Sequence, residues 1–259
     1  MRTRYLSLDA VVLRCREQGE ADLWVTLLAP VAGLVSGVAK NALKSQRRFQ
    51  GALAPGTSEE VLLARRQGVW YLEETVVTDS YLHLKAHPVA YALACYAMES
   101  ILGSHPDGPA ASDAFPLLVE LLEHLDLAQA DLPLTRVAWD IRFLEALGLA
   151  PELLSCVVCG APAQSPHCRF DGASGGVLCP AHSDEAPAGF GVSPGVPRLL
   201  LDLKDARFPS RGETPFRSAE RRAARKLLDV HMSHHLPLSL RSKRVLEQVS
   251  RVSTRESSS

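Results

Sequence analysis

The sequence lacks the patterns that mark membrane, secreted and catalytic proteins. No stretch reaches the roughly 18 consecutive apolar residues of a membrane-spanning helix, and the N-terminus lacks the apolar run of a signal peptide. The chain has no Walker loop, no His-Glu-x-x-His and no His-x-Glu, so the signatures of nucleotide hydrolysis, zinc proteases and nucleobase deaminases are absent. We therefore expect a cytoplasmic protein that is not an enzyme and has no membrane partner.

Cysteine is also scarce, since it accounts for 6 of 259 residues, and most of these thiols lie between positions 156 and 179. Such clustering is typical of a reducing compartment, where cysteines bind metal rather than form disulfides. Cys156-Val-Val-Cys159 and Cys179-Pro-Ala-His182 each have the ligand spacing of a zinc knuckle. The spacing predicts one structural Zn²⁺, because a site closed by four protein ligands leaves no coordination position for a substrate.

The fourth zinc ligand is ambiguous on the sequence alone. The Cys-x-x-Cys pair and Cys179 supply three firm candidates, and His182 completes the symmetric second knuckle. Cys168 is the alternative, because a hairpin through the glycine-rich turn after it would bring it beside Cys179, and His167 is a distant third. The two-knuckle spacing favours His182.

The first 80 residues contain five short runs of β-branched and aromatic residues with turn residues between them. The runs are 9–15, 22–28, 34–39, 59–64 and 69–77. Five strands in so short a segment fit a small barrel, and the OB-fold is the common five-stranded form. Residues 40–57 are too many for a hairpin turn and predict a helix or a long loop. Trp24 and Trp70, like Trp139 further on, lie in apolar runs and are predicted core residues.

From residue 88 onward the apolar residues recur with helical spacing. We expect helices over 88–102, 113–127, 134–147, 197–203 and 215–235. The predicted fold class is α+β and multidomain, with an N-terminal OB-fold β-barrel, a helical domain and an inserted small zinc-binding module. The predicted boundaries are 1–80 for the barrel, 81–150 and 191–245 for the helical domain, 151–190 for the zinc module and 246–259 for a disordered tail.

Positive charge is segregated although the net charge is only −1. Residues 81–203 carry 5 basic and 14 acidic side chains, whereas residues 204–259 carry 13 and 6. The second segment includes a predicted amphipathic helix from residue 216 with a broad basic face, made of Arg217, Arg221, Arg222, Arg225 and Lys226. Such a face suits an anion, either DNA or an acidic peptide, and solubilisation alone is the competing interpretation.

A second cluster of cations lies in the long connection of the predicted barrel. Its residues are Lys40, Lys44, Arg47, Arg48 and the aromatic Phe49. OB-folds bind single-stranded DNA with a basic groove and stacking rings, so we expect these cations to contact phosphates. The ring of Phe49 either stacks on a base or plugs the end of the barrel.

The order of several short motifs resembles the RecO family of bacterial recombinational-repair proteins. The N-terminal motifs are Gly19-Glu-Ala-Asp22, Gly33-Leu-Val-Ser-Gly-Val-Ala-Lys40, Lys44-Ser45 with Arg48-Phe49, and Leu53-Ala-Pro-Gly56. The helical middle and the Leu-x-x-Cys-x-x-Cys-Gly insert agree with the same family, and the likeness extends to residue 245. The family often has glycine where this chain has Asn41 and cysteine where it has His182, and the second departure keeps the fourth zinc ligand open.

The resemblance implies an OB-fold, a helical domain and an inserted zinc module. It also implies binding of single- and double-stranded DNA, annealing of complementary strands, and a complex with RecR that helps load RecA onto strands covered by single-stranded-DNA-binding protein. Such a protein is a nucleoid-associated mediator without catalytic residues. The alternative hypothesis is a zinc-stabilised scaffold that binds only protein partners, and salt-dependent affinity for DNA separates the two.

Overall fold

The chain folds into two compact units, one of residues 1–128 and 240–259 and one of residues 129–239. The computed structural model describes residues 4–45, 48–49, 52–163, 165, 167–185, 188–212, 215–236 and 238–256. The domain boundaries given by the sequence remain predictions.

The first unit begins with a five-stranded barrel. Its strands are β1 (Arg4–Gln18), β2 (Asp22–Ala29), β3 (Gly33–Ala39), β4 (Ser58–Arg66) and β5 (Val69–Asp79). They pair in the closed order β1-β2-β3-β5-β4, and all neighbours are antiparallel except β3 and β5. Because successive side chains point to opposite faces of a strand, alternate residues such as Val25 and Leu27 fill the interior.

The barrel closes through a short contact between β3 and β5. The register joins two residues of each strand, Gly37 with Trp70 and the pair that follows. Glycine suits this position, because a Cβ on Gly37 would lie 2.9 Å from the carbonyl oxygen of Trp70. Near its start, β3 pairs instead with Gly108, which exchanges backbone hydrogen bonds of 2.8 and 3.0 Å with Leu34.

Five helices of the two units follow the predicted apolar periodicity, and two further ones, the first and the last, were not predicted. They are α1 (Leu82–Ala86), α2 (Pro88–Ser104), α3 (Ala114–Asp126), α4 (Leu132–Ala146), α5 (Gly195–Asp205), α6 (Ser218–His235) and α7 (Arg241–Glu256). In the first unit α2 contacts α1, α3 and α7. In the second unit α4, α5 and α6 contact one another, and Trp139 of α4 is fully buried, as predicted.

The C-terminal segment differs from its prediction. Residues 246–259 were expected to be disordered, but α7 continues to Glu256, so this prediction is wrong over 246–256; residues 257–259 lie outside the described part of the chain. The helix packs on α2, and Leu246 is only 5% exposed. The carboxylate of Glu99 on α2 accepts hydrogen bonds from the backbone N–H and the hydroxyl of Ser242, which caps the first turn of α7.

A small four-stranded sheet follows α4 in the second unit. Its strands are β6 (Glu152–Cys156), β7 (Arg169–Asp171), β8 (Gly176–Leu178) and β9 (Phe190–Gly191), in the order β6-β8-β7-β9. Phe170 is buried at its centre. The predicted fold class is confirmed, since a five-stranded N-terminal barrel, a helical region and a small module with a possible zinc site are all present. No helix in the described ranges has the length and hydropathy needed to span a membrane.

Candidate metal centre and basic surfaces

Four metal-ligating side chains converge in the small module. They are Cys156, Cys159, Cys179 and His182, and one ligand atom from each lies within 4.8 Å of all the others. Cys156 ends β6 and Cys179 follows β8, and these two strands are neighbours in the sheet. The sheet therefore brings the two knuckles together from positions far apart in the sequence.

Local backbone turns shape each knuckle. After the first, the N–H of Gly160 donates to the carbonyl of Cys156 at 2.8 Å, and Gly160 has a φ of 70°, a left-handed conformation that glycine adopts readily. In the second, the N–H of His182 donates to the carbonyl of Cys179 at 3.0 Å. Each pair of ligands therefore lies on a tight turn.

The distances between ligand atoms fit a tetrahedral zinc ion. Two sulfurs bound to Zn²⁺ at about 2.3 Å lie about 3.8 Å apart in a tetrahedron, and Sγ of Cys159 is 3.8 Å from Sγ of Cys179. Nδ1 of His182 lies 3.8 Å from Sγ of Cys156 and 3.2 Å from Sγ of Cys179. Three thiols and one imidazole at this spacing are a donor set that zinc prefers, and the residues therefore fit the ion.

The surroundings of two thiols favour the thiolate that a metal requires. Burial opposes ionisation of Cys156, but hydrogen bonds from nearby backbone N–H groups outweigh it and lower the pKa of this thiol to about 6. A hydrogen bond with His182 lowers the pKa of the Cys179 thiol. Deprotonation is a precondition for metal binding, so these two thiols favour the form that binds a cation. For Cys159 a hydrogen bond from the N–H of Ala161 lowers the pKa, but burial and the hydrogen bonds with the other two thiols outweigh it and raise the pKa of this thiol.

Cys168, the alternative fourth ligand, lies outside this group of four. It directly precedes β7, is 3% exposed, and its carbonyl accepts a hydrogen bond from the N–H of Val192 at 3.2 Å. Because β7 pairs with β8 in the register Arg169 with Leu178, Cys168 is near Cys179 along the sheet, as the hairpin argument required. Its surroundings are those of a buried core thiol.

Helix α6 holds the hairpin between β7 and β8 through histidines. Nε2 of His235 lies 2.7 Å from the carbonyl oxygen of Gly172, and Nε2 of His231 lies 2.7 Å from that of Leu149. A Cβ on Gly172 would lie 2.8 Å from the ring of His234. The hairpin and the helix are therefore packed too closely for a larger residue, which ties the metal module to α6.

The cations of the barrel loop, defined as residues 40–57, differ in the contacts that they make within the protein. Lys40 forms an ion pair with Asp22 at 2.6 Å, and Arg48 donates to the carbonyl of Lys40 at 2.7 Å. The hydrogen bond from Lys40 lowers the pKa of the Asp22 carboxyl. Lys44 is exposed at the end of a short 3₁₀ turn, whereas Arg47 lies outside the described residues.

Phe49 packs inside the barrel. Its side chain is 6% exposed, belongs to the barrel core and lies under the guanidinium of Arg48, with 4.6 Å between the ring centre and Cζ. Leu53 from the same loop is also in the core, and its N–H donates to the buried carboxylate of Glu59 at 2.6 Å. The loop thus plugs one end of the barrel, which favours the second of the two roles considered for Phe49.

The basic face of α6 is partly neutralised within its own unit. Arg221 forms an ion pair with Asp131 at 2.6 Å, and Arg225 lies 3.7 Å from Asp229. Arg217 is the N-cap residue, and its N–H donates to Glu220 at 2.8 Å. Arg222 and Lys226 are exposed, and the ammonium of Lys226 lies 4.3 Å from the ring centre of Phe190. Because Arg221 and Arg225 are paired with acidic residues, this face offers an anion fewer unneutralised cations than the sequence predicted.

Two tryptophans that the sequence placed in the core are only partly buried. Trp24 and Trp70 line an opening in the wall of the barrel together with Ser36 and Arg65. Their runs of apolar neighbours hid this position. The partial exposure of Trp24 agrees with the register of β1 with β2, which puts Trp24 opposite the charged residue Arg16 on one side of the sheet.

The chain matches two family descriptions along almost its whole length. "Recombination protein O N terminal" covers residues 1–81, and "Recombination protein O C terminal" covers residues 86–244. The chain belongs to the RecO family. The first match contains the barrel with its basic loop, and the second contains the metal centre and α6.

Relatives in several bacteria are similar to the chain throughout. "DNA repair protein RecO" of Anaeromyxobacter sp. (strain K) is 33% identical over 246 residues, which cover 94% of this chain and 96% of that protein. The protein of the same name from Myxococcus xanthus is 33% identical over 93% of this chain and 96% of its own. That of Geobacter metallireducens is 34% identical with the same two coverages, 93% and 96%. Membership in the RecO family therefore rests on both units.

Proposed function

We propose that this protein is a non-enzymatic, DNA-binding mediator of recombinational DNA repair. It binds single- and double-stranded DNA and anneals complementary strands. With RecR it helps load RecA onto single strands covered by single-stranded-DNA-binding protein. The relatives named DNA repair protein RecO, which match nearly all of the chain, support the repair role. Its place of action is the cytoplasm, at the nucleoid.

The observation that carries the DNA-binding proposal is the exposed basic loop at one end of a five-stranded barrel. Lys40, Lys44 and Arg48 are exposed, while Phe49 and Leu53 anchor the loop in the barrel core. Anchored cations hold their positions when a strand binds, so less conformational entropy is lost. Each cation that neutralises a phosphate releases counterions, and this release drives the association.

The metal centre has a structural role in this proposal. The four side chains of the centre would hold one Zn²⁺ in a closed site, and the ion would contribute folding free energy to the module rather than chemistry. Cys156 and Cys179 belong to the core of the module together with Leu178. The ion would therefore reinforce the small core of this module.

Salt-dependent DNA binding tests the proposal. The loop reversal, Lys44→Glu with Arg47→Glu, should weaken single-stranded DNA binding for all sequences, because phosphate contacts carry no base information. Two lost contacts should reduce the slope of log affinity against log salt by about 1.4. Fluorescence anisotropy with a labelled oligonucleotide at several salt concentrations measures both quantities.

The matched control for the loop reversal is Arg198→Glu with Arg207→Glu, which changes the net charge equally at exposed positions of the second unit. This control should leave the salt slope unchanged, and all variants should melt as the wild type does, since surface charges cost under about 0.5 kcal/mol. Wild-type affinity and slope in the loop reversal would place the DNA elsewhere. A wild-type protein without salt-dependent DNA binding would favour the protein-only scaffold.

A further inference from the structure

The wall of the barrel has an opening that neither the basic loop nor the metal centre uses. We call it the barrel slit. It has a volume of about 490 Å³, within the range of small-molecule pockets. Residues from the first unit line it, among them Trp24, Ser36, Arg65, Trp70 and Asp107. All of these lie in the described part of the chain.

The slit exists because β3 changes partners along its length. At Gly37 it pairs with Trp70 of β5, and at Leu34 it pairs with Gly108. On the edge of β3 that faces β5, Val35 and Ser36 lie between these points and border the opening, while on the other edge they pair with Leu27 and Thr26 of β2. The two anchors fix the width of the slit through backbone hydrogen bonds, so the opening is a built feature of the barrel.

Two indole rings border the slit from different sides of the barrel wall. Trp70 packs against the interior core cluster. Trp24 pairs in register with Arg16 on β1 and Val38 on β3, and does not belong to that core cluster. Both indoles remain partly exposed. Partly exposed aromatic rings beside a preformed opening are what a stacking platform requires.

Cations accompany both rings. The guanidinium of Arg65 lies over Trp70, with 5.4 Å between Cζ and the ring centre. Arg16 is directly opposite Trp24 on the neighbouring strand, where side chains approach to about 5 Å. A ligand that enters here therefore meets flat rings, positive charge, and the polar groups of Ser36 and Asp107.

We infer that the barrel slit holds a nucleobase of single-stranded DNA, with the sugar-phosphate backbone outside along the arginines. A base has the π-face that the indoles can stack on and the polar edge that Ser36 and Asp107 can hydrogen-bond, and its phosphates complement Arg16 and Arg65. The hydroxyl of Ser36 already shares a hydrogen bond with that of Thr26 at 3.2 Å, so the polar group that an aliphatic ligand would leave without a partner is the carboxylate of Asp107. This inference rests on the proposed DNA-binding function and adds a base-contacting site to it.

The slit and the basic loop can serve one bound strand. Lys40 follows β3 directly, four residues beyond Ser36, which corresponds to about 13 Å along an extended strand. A single strand with one base in the slit therefore reaches the loop within a few nucleotides. Phosphate contacts at the loop would set affinity, and the slit would add stacking.

Intrinsic fluorescence tests the inference on the unmodified protein. The chain has 3 tryptophans, and the third, Trp139, is fully buried in the other unit. Stacking of a base on Trp24 or Trp70 should quench the emission, so an oligothymidine should quench it whereas an abasic oligonucleotide of equal length should not. Equal effects of the two oligonucleotides would overturn the inference.

Variants assign the effect to the slit. Trp24→Leu should weaken oligothymidine binding about 5- to 100-fold, the range expected for one stacked base, and should leave abasic binding unchanged. Trp24→Phe, which keeps a ring, should retain most of the affinity. The matched control is Tyr5→Leu, which removes an aromatic side chain that is exposed on the same barrel outside the slit. It should bind both oligonucleotides as the wild type does.

The outcomes separate the slit from the broader function. If Trp24→Leu binds both oligonucleotides normally while the loop reversal weakens both, DNA binding stands and the base-binding slit is wrong. If the wild type binds neither oligonucleotide, both proposals fail. Quenching by an acidic peptide that contains phenylalanine, without quenching by DNA, would assign the slit to a protein partner and overturn the inference.

Discussion

At the scale of single residues, glycines decide where the barrel can close. Gly33 has a φ of 62°, and a Cβ there would lie 2.0 Å from the carbonyl oxygen of Gly108. Two constraints therefore act at one position, a left-handed backbone and a close backbone approach. Gly19 in the β1–β2 turn has a similar φ of 68° but nothing within 4 Å of its Cβ position.

This pair of glycines allows a matched prediction. Gly19→Ala should lower the free energy of unfolding by about 1 kcal/mol, the cost of a left-handed backbone at a residue with a Cβ. Gly33→Ala should cost at least about 1 kcal/mol more, because the backbone at Gly108 must also move. Urea unfolding of the two variants measures the difference, and equal costs would show that the β3–Gly108 contact is loose.

The metal ligands give a second prediction at this scale. Cys159→Ser should lose zinc and lower the free energy of unfolding by more than about 2 kcal/mol, because metal binding and folding of the module are coupled. Cys168→Ala is the control, since Cys168 is buried outside the group of four ligands. It should keep one zinc per chain by elemental analysis. If Cys168→Ala lost zinc while a His182→Ala variant retained it, the fourth ligand would be Cys168 and not His182.

At the scale of elements, tertiary pairing modifies what local patterns predict. Alternation along β5 places Trp70 and Leu72 on one face, but the register slips between Leu62 and Leu63 of β4, so Leu72 and Glu74 oppose adjacent residues. Beyond this bulge the faces exchange, and Val76 is exposed. A period of two read from the sequence alone assigns the end of the strand to the wrong face.

The tail shows the same effect for a helix. Residues 246–256 are polar enough to predict disorder, and an isolated helix over 241–256 would be marginal in water. Contact with α2 and the cap from Glu99 stabilise it instead. Only the fold brings Glu99 next to Ser242, far along the chain.

The buried histidine His231 of α6, whose ring contacts the carbonyl of Leu149, predicts that stability depends on pH. His231 is 2% exposed, and burial lowers its pKa below the usual 6.5, with smaller contributions from His235 and His234. The imidazole of His231 therefore binds a proton near pH 6.5 in the unfolded chain, but only at a lower pH in the folded chain. Stability should fall as the pH drops below about 6.5, by at most about 1.4 kcal/mol per pH unit for this group.

The variant His231→Gln isolates this contribution, because glutamine keeps an N–H donor for the carbonyl of Leu149 and does not titrate. Unfolding measured between about pH 7.5 and pH 5 should show a shallower loss of stability in His231→Gln than in the wild type. The titratable groups nearby, His234, His235 and Asp171, remain in both proteins. His167→Gln, at an exposed histidine of the same unit, should follow the wild-type curve. Parallel curves for wild type and His231→Gln would refute the assignment.

At the scale of the whole molecule, cations occur on both units, on the barrel loop of the first and on α6 of the second. If both contact the same nucleic acid through separate phosphates, their effects on log affinity should add. We expect the loop reversal and an Arg222→Glu, Lys226→Glu reversal to weaken binding separately, and their combination to reduce the salt slope by the sum. Salt titrations of the three variants measure this. If the α6 reversal changed neither the affinity nor the salt slope, the basic face of that helix would be a solubilising or protein-binding surface.

The sequence by itself determined the five strands of the barrel, most helices, the fold class and three of the four side chains that form the candidate metal site. These follow from local periodicity and from ligand spacing, which need no knowledge of distant contacts. The RecO family was also readable from the order of short motifs. His182 could be favoured on spacing, and the structure places it with the other three ligands.

Only the tertiary structure decided which of these residues are exposed and which contacts they make. It buried Phe49 in the barrel, paired Arg221 with Asp131, and opened the slit beside Trp24 and Trp70. Each outcome depends on which residues meet across long stretches of chain, and composition or spacing does not encode such meetings. The free energy of a side chain depends on its neighbours, so the same cation is a phosphate ligand when solvated and a structural ion pair when matched.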